Sequence, residues 1–309
     1  MNMNIKNQIE LTRSVRPYLP GGPGNVTNPR HLSAAGWSAF FPSPLKQVAL
    51  KMNVKLALLV ASALTVSADQ SPMAAAASPA KNVVLVHGAF VDGSGWKGVY
   101  EILKKDGYNV KIVQNSTESL QGDVAATKRV IDTTTGNVLL VGHSYGGAVI
   151  TEAGNDPKVA GLVYVAAFAP DAGESVGQLN GKPAPDATNP PMLPPQNGAL
   201  TLDGSGFQAA YAADVDPVTA GSMADSQVPL GLEALSGTIT HPAWKDKPTW
   251  YIITTKDKIV PLSLQRTMAE RANAHIKEIA ASHAVYISKA KAVAKVIEEA
   301  AQNVGSVEK

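Results

Sequence analysis

The residues best suited to covalent chemistry are Gly142-His143-Ser144-Tyr145-Gly146-Gly147. In a G-x-S-x-G stretch the serine can sit on a turn too sharp for bulky neighbours, which lifts its hydroxyl clear of the backbone. Here the apolar run 137–142 leads into the turn and a helical segment, 148–153, leaves it. That context places Ser144 Oγ near a helix N-terminus, where free N–H groups and the helix dipole favour negative charge. The chemistry implied is nucleophilic attack on an electrophilic carbon. The bare pattern also fits a glycine-rich turn with an inert serine; the strand before it and the extra Gly147 argue for the nucleophile.

A serine hydroxyl is a weak nucleophile until a base, itself held by an acid, takes its proton. Around such an elbow the partners follow in the order acid, then histidine. Three histidines lie downstream. His241 falls in a proline-rich stretch and His275 begins a strand. His283 lies in the loop 280–284, between the strand 275–279 and the last helix, on the edge that carries Ser144, and is the expected base. The acid belongs in a similar loop. Asp257, in 254–261 (TTKDKIVP), follows the strand 249–254 and is expected to hold the imidazole tautomer. The alternative is Asp171, after the strand 161–166, which has a plainer role as a turn or helix cap.

The developing oxyanion needs two backbone N–H donors. Tyr145, next to the nucleophile, supplies one. The loop His87-Gly88-Ala89-Phe90 supplies the other, through Ala89 or alternatively Phe90. His87 reads as a structural hydrogen-bonding residue. A small apolar pocket is expected, with Phe90 and Phe168 as substrate-binding residues and Tyr145, Met192, Leu193 and Leu230 as further lining.

These residues need a frame. The runs 82–87 (NVVLVH), 109–113 (NVKIV), 137–142 (NVLLVG), 161–166 (GLVYVA), 249–254 (TWYIIT) and 275–279 (HIKEI) have strand character, and the first four suit strands buried on both faces. Between them Trp96, Val99, Tyr100 and Leu103 recur at helical spacing, as do 124–131, 268–272 and the stripe Val293, Val296 and Ile297. Alternating β and α units predict an α/β domain: a mostly parallel sheet, right-handed crossovers, and helices on both faces. The segment of about 170–248, dense in Pro, Gly and Asp, interrupts the alternation and is expected to be a lid.

The catalytic domain is read as 81–309. Residues 1–51, rich in Asn, Pro and Gly, read as a disordered extension. Residues 52–68 read as a signal peptide, with Lys55 before the apolar run 56–66 and small residues after it; 69–80 form a linker. The expected mature N-terminus lies between Asp69 and Lys81, and the expected location is secreted or periplasmic. The apolar run is too short for stable membrane insertion. The chain of 309 residues is 45% hydrophobic and 17% charged, a globular composition with no cysteine. Its net charge of +2 becomes −4 once residues 1–68 are set aside, which gives no basis for nucleic-acid binding. No metal-ligand spacing or phosphate-cradling loop is present, and no cofactor is expected; Asp92-Gly93-Ser94-Gly95 lacks the Lys-Ser/Thr ending of a phosphate loop.

With the first-strand His87-Gly88, the Gly-His-Ser-Tyr-Gly-Gly elbow, Asp257 with Val260-Pro261, and Ser282-His283, the region 81–304 resembles the α/β-hydrolase superfamily. His87-Gly88-Ala89-Phe90 with Gly95-Trp96 further resembles its small serine esterases, a subgroup that includes plant methyl esterases, hydroxynitrile lyases and bacterial relatives. The resemblance implies an α/β-hydrolase fold and a carboxylesterase-like activity on a small-molecule ester, through a Ser144–His283–Asp257 triad and an acyl-enzyme. It also admits a lyase or cofactor-free perhydrolase on the same triad, or a ligand-binding protein with negligible turnover. The lyases carry lysine directly after the catalytic histidine, where this chain has Ala284. The nucleophile position holds serine, not the aspartate of dehalogenases and epoxide hydrolases.

Overall fold

The computed structural model describes residues 79–305. The extension 1–51, the leader 52–68 and the linker up to residue 78 lie outside the described residues, as do 306–309. The order begins β1 (Asn82–Val86), a 3-10 turn (Gly93–Trp96), α1 (Lys97–Lys105), β2 (Asn109–Val113), α2 (Leu120–Asp132), β3 (Val138–His143), α3 (Gly146–Ala153) and β4 (Val159–Val165). An insert follows, with α4 (Val176–Asn180), β5 (Ala199–Leu200), α5 (Gly204–Tyr211), α6 (Pro217–Asp225), β6 (Leu230–Gly231), α7 (Leu232–Ser236) and a second 3-10 turn (Ala243–Lys245). The chain then returns through β7 (Thr249–Thr254), α8 (Leu262–Arg271), β8 (His275–Ile279), α9 (Val285–Ser288) and α10 (Ala290–Asn303).

Six strands form one parallel sheet in the order β2-β1-β3-β4-β7-β8. Period-two alternation sends β1 side chains to opposite faces: Val84 and Val86 join one core, Val83 and Leu85 the other. The first core takes Val124 and Ile131 of α2, Val149 and Ile150 of α3, Met268 of α8, and the insert's Leu202, Phe207 and Leu230. The second takes Val99 and Leu103 of α1 and Val293 and Ile297 of α10, each pair four residues apart on one helical stripe. Both faces are covered, which is why the central strands read as continuous apolar runs. The edge strand β8 differs: His275, Ile276, Lys277 and Glu278 are exposed.

The strand order reverses between β1 and β3, since β2 and β3 flank β1 on opposite sides. The crevice beyond the carboxyl ends of these two strands is where open α/β sheets place ligands. Backbone strain gathers at the same edge. Phe90 after β1, Thr117 after β2, Ser144 after β3 and Ala166 after β4 all have φ between 48° and 65°, a region that side-chain-bearing residues seldom occupy.

The insert is more ordered than its composition suggests. Ser175 and Gln178 form a capping box at α4, Asp203 caps α5, and Asp216 followed by Pro217 opens α6. Its backbone is tied to the sheet-edge loops: Phe90 N–H donates to Val228 O (3.0 Å) and Gly231 N–H to Thr117 O (2.8 Å).

Candidate active site

Ser144 sits between β3 and α3 with φ +53°, held by its N–H to Val165 O (3.2 Å) and by Phe168 N–H to its carbonyl (3.1 Å). The glycines allow this packing. A Cβ on Gly142 would lie 2.5 Å from Gly146 O, and one on Gly88 would lie 2.7 Å from Ser144 Cβ. Ser144 is only 4% exposed.

Asp257 and His283 come together from the loops after β7 and β8. His283 Nδ1 lies 2.8 Å from Asp257 Oδ2, and neither side chain is exposed. Asp257 accepts four more hydrogen bonds: Oδ1 from Ile259 N–H (2.8 Å) and Val260 N–H (3.0 Å), Oδ2 from Thr254 Oγ1 (2.7 Å) and Gln265 Nε2 (3.1 Å). A carboxylate so supplied with donors stays an acceptor, which puts the imidazole proton on Nδ1 and a lone pair on Nε2. His283 Nε2 is buried and makes no hydrogen bond within the described residues.

The link between the Ser144 loop and the His283 loop runs through His143, beside Ser144. Its Nε2 lies 3.0 Å from the carbonyl of His283, so that nitrogen carries the proton. The His143 ring packs 4.7 Å from the His283 ring and 4.3 Å from Tyr286. Burial, and then the neighbouring His283, hold His143 well below the ordinary histidine range, so it remains neutral.

Around the first-strand loop, His87 Nδ1 lies 2.9 Å from Gly88 O, and Asn115 N–H donates to His87 Nε2 (2.9 Å). This is a structural, tautomer-fixed histidine, and burial lowers its pKa. The Phe90 N–H, the alternative donor of the two expected, is occupied by Val228 O (3.0 Å). The Ala89 and Tyr145 N–H groups have no acceptor among the described residues.

The remaining expected residues divide. Phe90 and Phe168 are buried in one cluster with Leu202, Phe207, Tyr211 and Leu230. Met192 and Leu193 are 39% and 37% exposed and lie outside that buried cluster, with Met192 bridged antiparallel to Leu202. Tyr145 is turned into the fold, its hydroxyl donating to Asp123 Oδ2 (2.8 Å). Asp171, the alternative acid, instead pairs with Lys245.

Three further buried residues support this arrangement. Asp123 lies on the buried stripe Leu120, Asp123, Val124, Thr127 and Ile131 of α2, where a carboxylate breaks the apolar period. Gln265 breaks the buried stripe of Gln265, Met268 and Ala269 on α8 in the same way. Both were visible as polar residues where helical spacing calls for apolar ones. Tyr211, in the insert, carried no such local signal.

The arrangement can activate a hydroxyl, orient the base and offer N–H donors to an anion. The profile of the Alpha/beta hydrolase family matches residues 83–296. The chain is 32% identical over 143 residues to the carbendazim-hydrolysing esterase of a Nocardioides species, covering 42% of this chain and 54% of that one, so it spans about half the length of that relative. It is 27% identical over 215 residues to Methylesterase 7 of Arabidopsis thaliana, covering 61% and 83% of the two chains. The pyrethroid hydrolase from Sphingobium faniae has a similar fold, with a TM-score of 0.61 at 20% identity over 72% of this chain and 97% of that one. This chain therefore belongs to the Alpha/beta hydrolase family.

Proposed function

We propose that this hydrolase cleaves small carboxylic esters, with Ser144 as nucleophile, His283 as base and Asp257 as the acid that orients it. The observation that carries the reading is the buried Asp257–His283 pair at 2.8 Å, in which the second His283 nitrogen, Nε2, makes no hydrogen bond among the described residues and the His283 ring lies 4.7 Å from that of His143, the residue before Ser144. In the reaction, Ser144 Oγ attacks the ester carbonyl carbon and passes its proton to His283 Nε2. The negative oxygen of the tetrahedral intermediate accepts from Ala89 and Tyr145 N–H. Collapse breaks the bond to the alcohol oxygen, which takes the proton from His283 and departs. Water then attacks the acyl-enzyme, gives its proton to His283, and the acid leaves as Ser144 regains the proton. No hydrogen bond joins Ser144 Oγ to His283 Nε2 here, and such bonds often form only with substrate in place.

In this reading residues 170–248 act as a lid. Ser144 and His283 are nearly closed off beneath it, so the segment shifts to admit substrate. Phe90 and Phe168 with Leu230 offer an apolar wall for an uncharged acyl or alcohol group. The names of the relatives, a carbendazim-hydrolysing esterase and a methylesterase, support ester-type hydrolysis over carbon–carbon cleavage. So does Ala284, which is fully buried with its N–H on Tyr211 O (3.0 Å) where the lyases have lysine.

The test is turnover of short-chain aryl esters, with chelator present, by the wild type and by Ser144→Ala. Hydrolysis that vanishes in the variant is expected. Cyanide release from mandelonitrile without ester turnover would overturn the reading, and negligible turnover of every ester would favour a binding role.

A further inference from the structure

We propose that Tyr211 is a positioning residue through which the insert sets the catalytic centre, holding the oxyanion loop and the base loop at once. The proposal rests on the triad reading above. Tyr211 ends α5, lies more than 60 residues in sequence from any member of the triad except Asp257, and is fully buried. Its hydroxyl donates to Ala89 O (3.2 Å). Its own carbonyl accepts from Ala284 N–H (3.0 Å), the residue after the base. Its ring meets that of His283 edge-on, with centroids 4.7 Å apart at 84°, and stacks with that of Phe207 at 5.0 Å.

The consequence follows from peptide geometry. A trans peptide is a rigid plane with C=O and N–H on opposite sides, so holding one group aims the other. The proposed donor, Ala89 N–H, shares a plane with Gly88 O, which His87 Nδ1 holds at 2.9 Å. The next plane joins Ala89 O to Phe90 N–H. Both of its ends are held by the insert, through Tyr211 Oη and Val228 O. With both planes held, the only soft torsions left between them are φ and ψ of Ala89, so the direction of its N–H is set. The left-handed Phe90, at φ +65°, would otherwise relax. Burial raises the Tyr211 pKa, so its hydroxyl stays protonated and able to donate. On the base side, Asp214, three residues further on, accepts from Ser282 Oγ and Ser288 Oγ, which bracket His283.

An N–H aimed in advance acts where charge develops, so its misalignment should appear in kcat and not in ground-state binding. Tyr211→Phe removes only the hydroxyl; the ring, the stacking and the carbonyl contact stay. On a short-chain aryl ester kcat is expected to fall about three- to tenfold, the equivalent of one hydrogen bond, with KM within about twofold. Affinity for a trifluoromethyl ketone, which forms an oxyanionic adduct with the serine, should fall by the same factor. Wild-type kcat and ketone affinity in Tyr211→Phe overturn the proposal, as does a loss confined to KM. Ser144→Ala, measured alongside, separates the two readings. If it is inactive while Tyr211→Phe matches wild type, this proposal alone fails; if it still turns over ester, the triad reading fails and takes this proposal with it.

Discussion

Asp257 Oδ2 and His283 Nδ1 stand 2.8 Å apart in a site closed to water, and Thr254, Ile259, Val260 and Gln265 point four further donors at the same carboxylate. An amide in place of that carboxylate presents an N–H to at least one donor and disturbs the imidazole tautomer. Asp257→Asn is therefore expected to lower turnover on the order of 10⁴-fold while the chain stays folded. Asp171→Asn, which breaks only the half-exposed pair with Lys245, should retain turnover. Steady-state kinetics on both variants, with circular dichroism to confirm folding, decide the matter; the opposite ranking would reassign the acid.

Away from the site, Glu174 makes stability acid-sensitive. Burial alone would raise its pKa, but hydrogen bonds from Arg271, the Asp171 N–H and Lys182 outweigh this and hold it down from 4.5 to about 2. The folded state thus binds this proton less tightly than the unfolded chain. Its stabilising contribution is full above about pH 4.5 and is lost as pH falls through about 2. Glu174→Gln is expected to be less stable than wild type at neutral pH and to converge with it in acid. Urea titrations across that window check this, and a constant gap between the two proteins would refute it.

Asp123 works in the opposite sense. Burial raises its pKa despite hydrogen bonds from Tyr145 Oη and Thr117 N–H. The folded state therefore holds this proton more tightly than the unfolded chain, and the contribution is present in acid and lost as pH rises through the folded pKa. Relative to wild type, Asp123→Asn should gain stability as pH climbs from the ordinary carboxylate range towards neutrality, by at most about 1.4 kcal/mol per pH unit. A difference that does not vary with pH in denaturant melts would count against it.

Gly88 is where a methyl group would meet Ser144. A Cβ there falls 2.7 Å from Ser144 Cβ and 2.9 Å from His143 O, and backbone cannot yield as a flexible side chain does. Gly88→Ala is expected to cost about 1–3 kcal/mol in stability and to displace Ser144 enough to lower kcat about 100-fold. Thermal melts and single-turnover kinetics measure the two effects separately. Full activity in a folded Gly88→Ala protein would show that the elbow adapts.

Export is proposed from Lys55, the apolar run 56–66 and the small residues after it. Ala80 is buried and its N–H donates to Ala301 O (2.8 Å), so processing that spares this contact leaves Ala80 in the mature chain. N-terminal sequencing of protein from its native host is expected to begin between Asp69 and Pro79. An intact Met1 or Met52 would contradict export.

What could be read in the sequence depended on how local its cause was. All six sheet strands could be read because burial on both faces leaves unbroken apolar runs such as 138–141; even β8, exposed at the edge, keeps enough β-branched character to show. The loops that carry Ser144, Asp257 and His283 were legible because each directly follows a strand. The insert's helices leave no apolar period in the sequence, although Ser175 with Gln178 and Asp216 with Pro217 are helix start signals. At five to nine residues they are too short for an apolar period to emerge from the surrounding Pro and Gly. The bonds from His143 to His283 O and from Tyr211 to Ala89 O span 140 and 122 residues, and no local pattern encodes them.

β4 and β7 are hydrogen-bonded neighbours, paired from Leu162 with Thr249 to Val165 with Ile252. The chain thus leaves the sheet and rejoins it side by side, with everything between 166 and 248 strung across one gap between two strands. Closing such a gap costs little more for a long excursion than for a short one. The segment is in that sense a cassette: another of different length could be spliced between the same two strands without disturbing the sheet's register. A replacement would inherit the loops that carry Ser144, Asp257 and His283 intact, but would have to bring its own acceptor for Ala284 N–H and its own donor for Ala89 O.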